Sequence, residues 1–252
     1  MLTVTFSIVI PSKNEEKEIG TLLNSIKSQT IQPEEIILAD KSTDSTREIA
    51  SPYGVTIVDG IDDGRVGKAR NLGAANVNAD YLIFLDADTE LSTVTFLEDA
   101  ITCMECLDLD LASVYYRPTQ KTWKSATVFF FMNAAKKIDS FLKAGIATGG
   151  AGMIFRTKTF RELGGFNEQY KISEDIEISR RAVTEGHTYN VLPLYLNVST
   201  RRFSQTPAKT ILKSILGGIG TIGVNVLHIP FLSKFLETFE EWYGETGGDT
   251  ES

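Results

Sequence analysis

The chain predicts an α/β fold: a mostly parallel central sheet flanked by helices, followed by a C-terminal helical extension. Three observations carry that expectation. Short apolar runs alternate with stretches of helical period through the first 90 residues, the order of a parallel sheet covered by helices. Four such runs end in polar or charged residues, and the carboxyl edge of an open α/β sheet is where ligands bind. A length of 252 residues with 42% hydrophobic and 23% charged side chains suffices for one substantial core.

Residues 6–10 (FSIVI) form the first expected strand, stopped by Pro11 and Ser12. Asn14 or a neighbour is placed to cap a helix whose residues Ile19, Leu22, Leu23 and Ile26 share one helical face. Pro33 precedes a second strand at 35–39 (EIILA), closed by Asp40. A short helix from Thr43 or Asp44 through Ala50 leads to a third strand at 54–58. Residues 64–76 (GRVGKARNLGAAN) read as a glycine-rich loop entering a helix, and 81–86 (YLIFLD) is the fourth strand. Beyond Asp88 the alternation loosens. Residues 93–106 are expected to be helical, 109–116 extended, and 123–142 helical with Phe129, Phe130 and Phe131. Gly149, Gly150 and Gly152 make a flexible loop before a strand at 153–155. A helix at 174–185 and a strand at 189–198, interrupted by Pro193, follow.

The expected organisation is one unit over 1–205, with halves of about 1–90 and 91–205, a helical extension over 206–243 and a disordered polar tail over 244–252. Residues 214–233 lack formal charge and have bilayer-spanning length. Asn225, His228, Pro230 and four glycines favour a buried or interfacial helix over a span. With the Phe129–Phe131 helix and Lys136-Lys137, that segment suggests a peripheral membrane contact. The net charge of −8 argues against a nucleic-acid partner. The opening MLTVTFSIVIPSKNEE reads as a strand and not as a secretion signal, so a cytoplasmic location is expected, at the cytoplasmic face of a membrane if lipid is engaged. Cys103 and Cys106 lack a second cysteine pair, and His187 and His228 are distant, so structural thiols are expected.

Residues 81–90 (YLIFLDADTE) are the most informative. An apolar strand ends in Asp86 and Asp88, with Glu90 next, and the alternation puts the acids on one side of the chain. Oxygen-only ligands suit Mg²⁺ or Mn²⁺, so the segment points to a divalent metal gripping a phosphorylated substrate. The competing reading is a solvated acidic loop. The other strand ends, Pro11 through Glu15, Asp40 and Asp59, line the same expected edge, and together they can hold a ribose, a base edge and a metal-bound diphosphate.

The ordered succession IVIPSKNEE, EIILADKSTDSTREIA, GRVGKARNLGAAN, YLIFLDADTE, GGAGMIFRTKTFRELGGFNE and SEDIEISRRA resembles the family 2 glycosyltransferases, which have the GT-A fold. The resemblance covers about residues 4–205. It implies inverting transfer of a sugar from a UDP- or GDP-linked donor, with Mn²⁺ or Mg²⁺, to a saccharide hydroxyl or to a polyprenyl-phosphate or other lipid-linked acceptor. Asp86 and Asp88 match the family's Asp-x-Asp. The resemblance makes Asp88 a metal ligand, Asp86 a ribose or metal contact, and Glu90 a further candidate ligand. Asp175 in SEDIE matches the catalytic base, with Glu174 shaping the acceptor pocket. At the start of a helix, the dipole is expected to lower the pKa of Asp175. Arg202 or its neighbour Arg201 faces the diphosphate. Lys68 and Arg70 meet the donor, Ala69 and Gly73 permit close backbone approach to it, and Gly149 and Gly150 contact donor sugar and acceptor.

One departure concerns the nucleotide base. The family's Asp-Asp-Gly-Ser is Ala39-Asp40-Lys41-Ser42 here, so either Asp40 is the base-contacting acid in a shortened loop or Ala39 has replaced it. Its place directly after EIILA favours Asp40. The Gln-x-x-Arg-Trp motif of processive members is missing, which favours single addition. A nucleotidyltransferase and a catalytically silent nucleotide-sugar-binding protein are the alternatives.

Overall fold

A computed structural model describes residues 4–60, 63–146 and 148–201. The expected extension, its 214–233 segment, the tail and Arg202 lie outside the described residues.

Strands β1 (Phe6–Ser12), β2 (Glu35–Asp40), β3 (Thr56–Asp59) and β4 (Tyr81–Phe84) lie in the order β3-β2-β1-β4, every neighbouring pair parallel. Helices α1 (Ile19–Lys27), α2 (Thr46–Ala50) and α3 (Val66–Ala74) connect them. The chain steps from β1 out to β2 and β3, then returns through α3 to β4 on the other side of β1. That reversal makes a topological switch point between β1 and β4, where diverging strand ends open a crevice.

The remaining elements are β5 (Thr89–Leu91), α4 (Phe96–Cys106), β6 (Leu111–Pro118), α5 (Trp123–Leu142), β7 (Met153–Arg156), α6 (Thr157–Glu162), α7 (Glu174–Thr184) and β8 (Tyr189–Val198). The full sheet order is β3-β2-β1-β4-β7-β6-β8-β5. The β6–β8 pairing is parallel, while β4–β7, β7–β6 and β8–β5 are antiparallel. β5 follows β4 almost at once in the chain yet pairs with β8 and forms the sheet edge four strand positions from β4. Four flat strand spacings would be about 19 Å, which the turned connection cannot span, so the sheet curls back on itself.

Pro193 is where β8 yields. Val114 pairs with Leu192 and Tyr115 with Tyr195, so the ladder skips Pro193 and Leu194. Proline has no N–H to donate, and the bulge it forces bends the strand toward β5. Pro11 does not stop β1, contrary to the sequence reading. Pairing of β1 with β4 ends at Val9, so the missing N–H of Pro11 costs no ladder bond. Asn14 does not cap α1 either. Its backbone is left-handed, φ 55°, and its side chain accepts from the Thr43 N–H at 3.0 Å.

The central strands β1 and β4 are buried on both faces, so successive residues feed two cores. Ile8, Ile10, Tyr81, Ile83 and Leu85 pack with α1 and α4, while Val9, Leu82 and Phe84 pack toward α3, α6 and α7. Phe84, Phe155, Phe160 and Phe166 form an aromatic cluster on the second side, with Phe84 and Phe166 edge to face at 5.1 Å. A Cβ on Gly73 would strike Val9, so this glycine seats α3 against β1 and is not an approach point for a donor.

Candidate active site

The alternation expected beyond β4 is present. Ala87, Thr89 and Leu91 point inward, and Asp86, Asp88 and Glu90 stand partly exposed at the rim beside the switch point. The turn is closed by the Thr89 N–H and hydroxyl, which both donate to the Asp86 carbonyl, and by the Ser199 N–H, which donates to the Asp88 carbonyl at 2.9 Å.

Arg70, buried on α3, organises this rim. Its guanidinium donates to Glu174 at 2.6 Å and to Asp86 at 2.8 Å, and it lies 5.4 Å from the Phe166 ring centroid. Burial alone would discourage its charge, but Asp86, Glu174 and Asp175 outweigh that and hold it firmly protonated. One side chain thus ties the Asp-x-Asp turn to the start of α7. Gly67 lets α3 pack against Phe166 and Glu174, and a Cβ on Gly150 would occupy the space of the Arg70 guanidinium.

Asp175 is largely desolvated, and burial followed by the negative charge of Glu174 raises its pKa from 3.8 to about 6. Arg70 and the N–H groups of Ile176 and Gly150 pull the other way without prevailing. The helix dipole was expected to lower this pKa; partial burial and the neighbouring Glu174 carboxylate outweigh it. Ser173, directly before α7, holds a left-handed backbone at φ 65° without being glycine. Strain of that kind persists only where surrounding structure imposes it, and here it aims Glu174 and Asp175 at Arg70 and Gly150.

Two further residues escaped the sequence reading. Tyr116, buried at the end of β6, donates its hydroxyl to the Ala151 carbonyl at 2.6 Å, and burial beside Asp175 and Asp86 pushes its pKa up. Lys136 is 1% exposed, donates to Ser113 Oγ at 2.8 Å and stands 4.3 Å from the Tyr116 ring centroid. Desolvation lowers its pKa to about 7 against the pull of Asp175 and Asp139. The sequence reading set Lys136 and Phe129 on a membrane-facing patch; both are inside. A helical wheel would have shown it, since Lys136 lies two turns after Phe129 and one before Asp139.

The other expected contacts divide. Glu15 is buried and accepts from Arg201 Nη2 at 2.8 and 3.0 Å, which brings Arg201, one of the two arginines expected near the diphosphate, next to the rim. Pro11 sits at the carboxyl end of β1, in register with Ala39. Gly149 closes on the Tyr116 hydroxyl and Gly150 on the Arg70 guanidinium, where a Cβ at either would collide. Lys68 pairs with Asp63 at 2.7 Å on the outer side of α3. Asp40 is fully buried, and its carboxylate takes the Ser12 and Ser42 hydroxyls, the Ser42 N–H and Arg47 Nε. Burial would raise its pKa, but those donors hold it below the usual value. Four donors fill the acceptor sites of a carboxylate, so in this arrangement Asp40 organises the loop and offers no edge to a base. Glu90 accepts from Asn197 at 3.2 Å and faces a cleft of about 530 Å³ that Glu18 and Arg201 also line.

Among the described residues no three acidic, histidine or cysteine side chains converge on a common metal position, so Glu90 is not gathered with Asp86 and Asp88. The donor set still fits a divalent cation that takes most of its ligands from a substrate. It is all oxygen, at the rim, and supplies one or two carboxylates, as Mg²⁺ sites on phosphates do. Charge agrees: Asp86, Glu174 and Asp175 all bear on Arg70, so their carboxylates leave little positive charge for an incoming diphosphate, which calls for a cation.

The family model described as "Glycosyl transferase family 2" matches residues 7–163. The chain belongs to this family. Relatives named 4,4'-diaponeurosporenoate glycosyltransferase, from Staphylococcus aureus and Staphylococcus haemolyticus, are 40% and 39% identical over 103 and 105 residues. Those matches cover 38% and 39% of this chain and only 26% and 28% of the relatives' length. Among solved structures, the mannosyltransferase PcManGT of Pyrobaculum calidifontis, in complex with GDP-Man and Mn²⁺, is similar with a TM-score of 0.71 at 17% identity, covering 95% of this chain and 71% of that one. S. aureus TarS 1-349 in complex with UDP-GlcNAc is similar at 0.61 and 20% identity, covering 93% and 71%. The fold is therefore the GT-A α/β architecture expected from sequence.

Proposed function

We propose that this family 2 protein transfers a sugar from a UDP- or GDP-linked donor to an acceptor hydroxyl or lipid phosphate, one sugar at a time and with inversion. The observation that carries this reading is the Arg70 bridge, which joins the Asp-x-Asp rim to the buried carboxylate at the start of α7. The donor lies along the carboxyl ends of β1 and β4, with its diphosphate over Asp88 and toward Arg201. Mn²⁺ or Mg²⁺ held by Asp88 and supported by Asp86 would offset the negative charge gathering on the departing diphosphate.

Asp175 is the base. A pKa of about 6 leaves it ionised at neutral pH yet more basic than a solvated aspartate, which suits uptake of a proton from an attacking hydroxyl. The acceptor oxygen bonds to the anomeric carbon as its proton moves to Asp175, and the bond to the diphosphate breaks on the opposite face. Displacement on one face by a single base inverts that carbon. With a phosphate acceptor, already anionic, Asp175 positions the nucleophile more than it deprotonates. Glu174, held by Arg70, walls the acceptor side with Gly149 and Gly150.

Nucleotide sugars in complexes of structurally similar proteins support the donor class, and relatives named for 4,4'-diaponeurosporenoate support a lipid-like acceptor. The test is a panel of UDP- and GDP-sugars with and without Mn²⁺, read by thermal stabilisation and by release of nucleotide diphosphate. Metal-dependent stabilisation with turnover by one donor is expected. Stabilisation without turnover toward any acceptor would favour the silent binding protein, and no stabilisation would end the reading.

A further inference from the structure

We propose that the outward face of α5 is a docking surface for an anionic lipid bilayer. At helical spacing Trp123, Phe130, Phe131, Ile138 and Phe141 fall within an arc of about 100°. All are exposed, Trp123 by 71%, Phe130 by 68% and Phe141 by 87%. The sheet-facing side of the same helix buries Ser125, Lys136 and Asp139 beside Val128 and Phe129. The helix thus buries a lysine and an aspartate while four of its five aromatic rings face outward. Single exposed apolar residues are ordinary, but a contiguous row of five on one helix marks a surface that something covers.

Charge identifies the occupant. The chain carries a net charge of −8, yet between Asp110 and Arg156 it has six basic side chains and one acid. That acid, Asp139, and one of the bases, Lys136, are buried, which leaves five bases and no acid at the surface. Lys124 and Lys137 flank the aromatic row on its two sides, and Arg117, Lys121 and Lys143 stand exposed near its ends. A second copy of an acidic chain would need no such uniform positive rim around its own apolar row. A headgroup layer of negative charge matches it, with rings entering the acyl boundary and lysines at the phosphates. No helix among the described residues is long and apolar enough to cross a membrane, so the contact is interfacial.

The surface rests on the proposed lipid-borne acceptor only for its purpose. The inner side of α5 carries Lys136, which meets Tyr116 beneath Asp175, so a bilayer on the outer side lies about one helix diameter, roughly 10 Å, from the acceptor pocket.

Cosedimentation of the full chain with vesicles tests it, using phosphatidylcholine alone and phosphatidylcholine with phosphatidylglycerol. The chain should sediment with the anionic vesicles and be released by salt. Phe130→Ser with Phe141→Ser should weaken binding roughly tenfold or more per ring, and Lys124→Ala or Lys137→Ala about fivefold each. Metal-dependent stabilisation by nucleotide should be unchanged in every variant, because none of these residues lines the pocket. No sedimentation with anionic vesicles, or binding unchanged by both sets of substitutions, overturns the proposal. So does self-association that the phenylalanine variant abolishes, which would assign the face to a second copy. A melting temperature lowered by that variant without any vesicle binding would assign it to residues 206–243 of the chain itself. Vesicle binding without sugar transfer would leave the surface standing and remove the enzymatic reading; transfer without vesicle binding would do the reverse.

Discussion

The guanidinium of Arg70 meets the carboxylate of Glu174 at 2.6 Å across 104 residues of sequence. Both are buried, and Arg70 holds Asp86 with its other terminal nitrogen. Removing one member of a buried, hydrogen-bonded pair leaves the other as an uncompensated charge. Arg70→Ala should therefore cost about 3–5 kcal/mol in chemical denaturation. Glu174→Gln keeps a hydrogen bond and should cost less. Equal, small losses for both would mean that the bridge does not organise the site.

Asp175 carries a prediction with a definite sign. Its folded-state pKa of about 6 lies above the ordinary 3.8, so the folded state holds the extra proton between those values. Ionising it costs stability as pH rises through that window, and the cost is fully present above about pH 6. Asp175→Asn should be more stable than the parent at pH 7, by up to about 3 kcal/mol, with the difference gone near pH 4. Transfer to a hydroxyl acceptor should fall by two orders of magnitude or more, roughly the worth of a general base, while nucleotide binding persists. In the parent, the acid limb of the rate profile should lie near pH 6. A variant of unaltered rate would remove Asp175 from the chemistry.

Lys136 titrates in the opposite sense. Burial depresses its pKa from 10.5 to about 7, so the unfolded chain holds the extra proton between those values. Stability should rise with pH from 7 toward 10, a gain that Lys136→Met would lack. Loss of this positive group near Asp175 should also move the acid limb of the rate profile to higher pH. A profile left in place would reduce Lys136 to a packing role.

Two glycines should respond to alanine with opposite signs. At Gly150 a Cβ has nowhere to go but into the Arg70 guanidinium, so Gly150→Ala should destabilise by about 1–3 kcal/mol and impair nucleotide binding. Gly20, inside α1, would place its Cβ in ordinary contact with Ile49 at 3.5 Å. Gly20→Ala should stabilise by about 0.5–1 kcal/mol. Paired denaturation curves check both.

The four N-terminal strands, the Asp-x-Asp rim and the helix bearing Asp175 were legible because they rest on local signals: apolar runs, strand-end acids and helical period. What was not legible depends on contacts between distant residues. Nothing near Arg70 in the sequence names Glu174 or Asp86 as its partners. The saturation of Asp40 needs Ser12 and Arg47 brought from two other elements. Tyr116 and Lys136 are ordinary residue types whose chemistry appears only once they are desolvated beside Asp175. The break at Pro193 was visible, but the bend of β8 toward β5 follows from the pairing on each side of it.

Titration of UDP and GDP against the parent and Asp88→Ala, with and without Mn²⁺, bears most directly on the rim's role. The parent should bind its nucleotide about tenfold or more tightly with Mn²⁺, a difference of roughly 1.4 kcal/mol or greater. Asp88→Ala should bind equally with and without the metal, at an unchanged melting temperature. An Asp88→Ala protein that keeps the full metal-dependent gain would contradict the assignment of the cation to this rim.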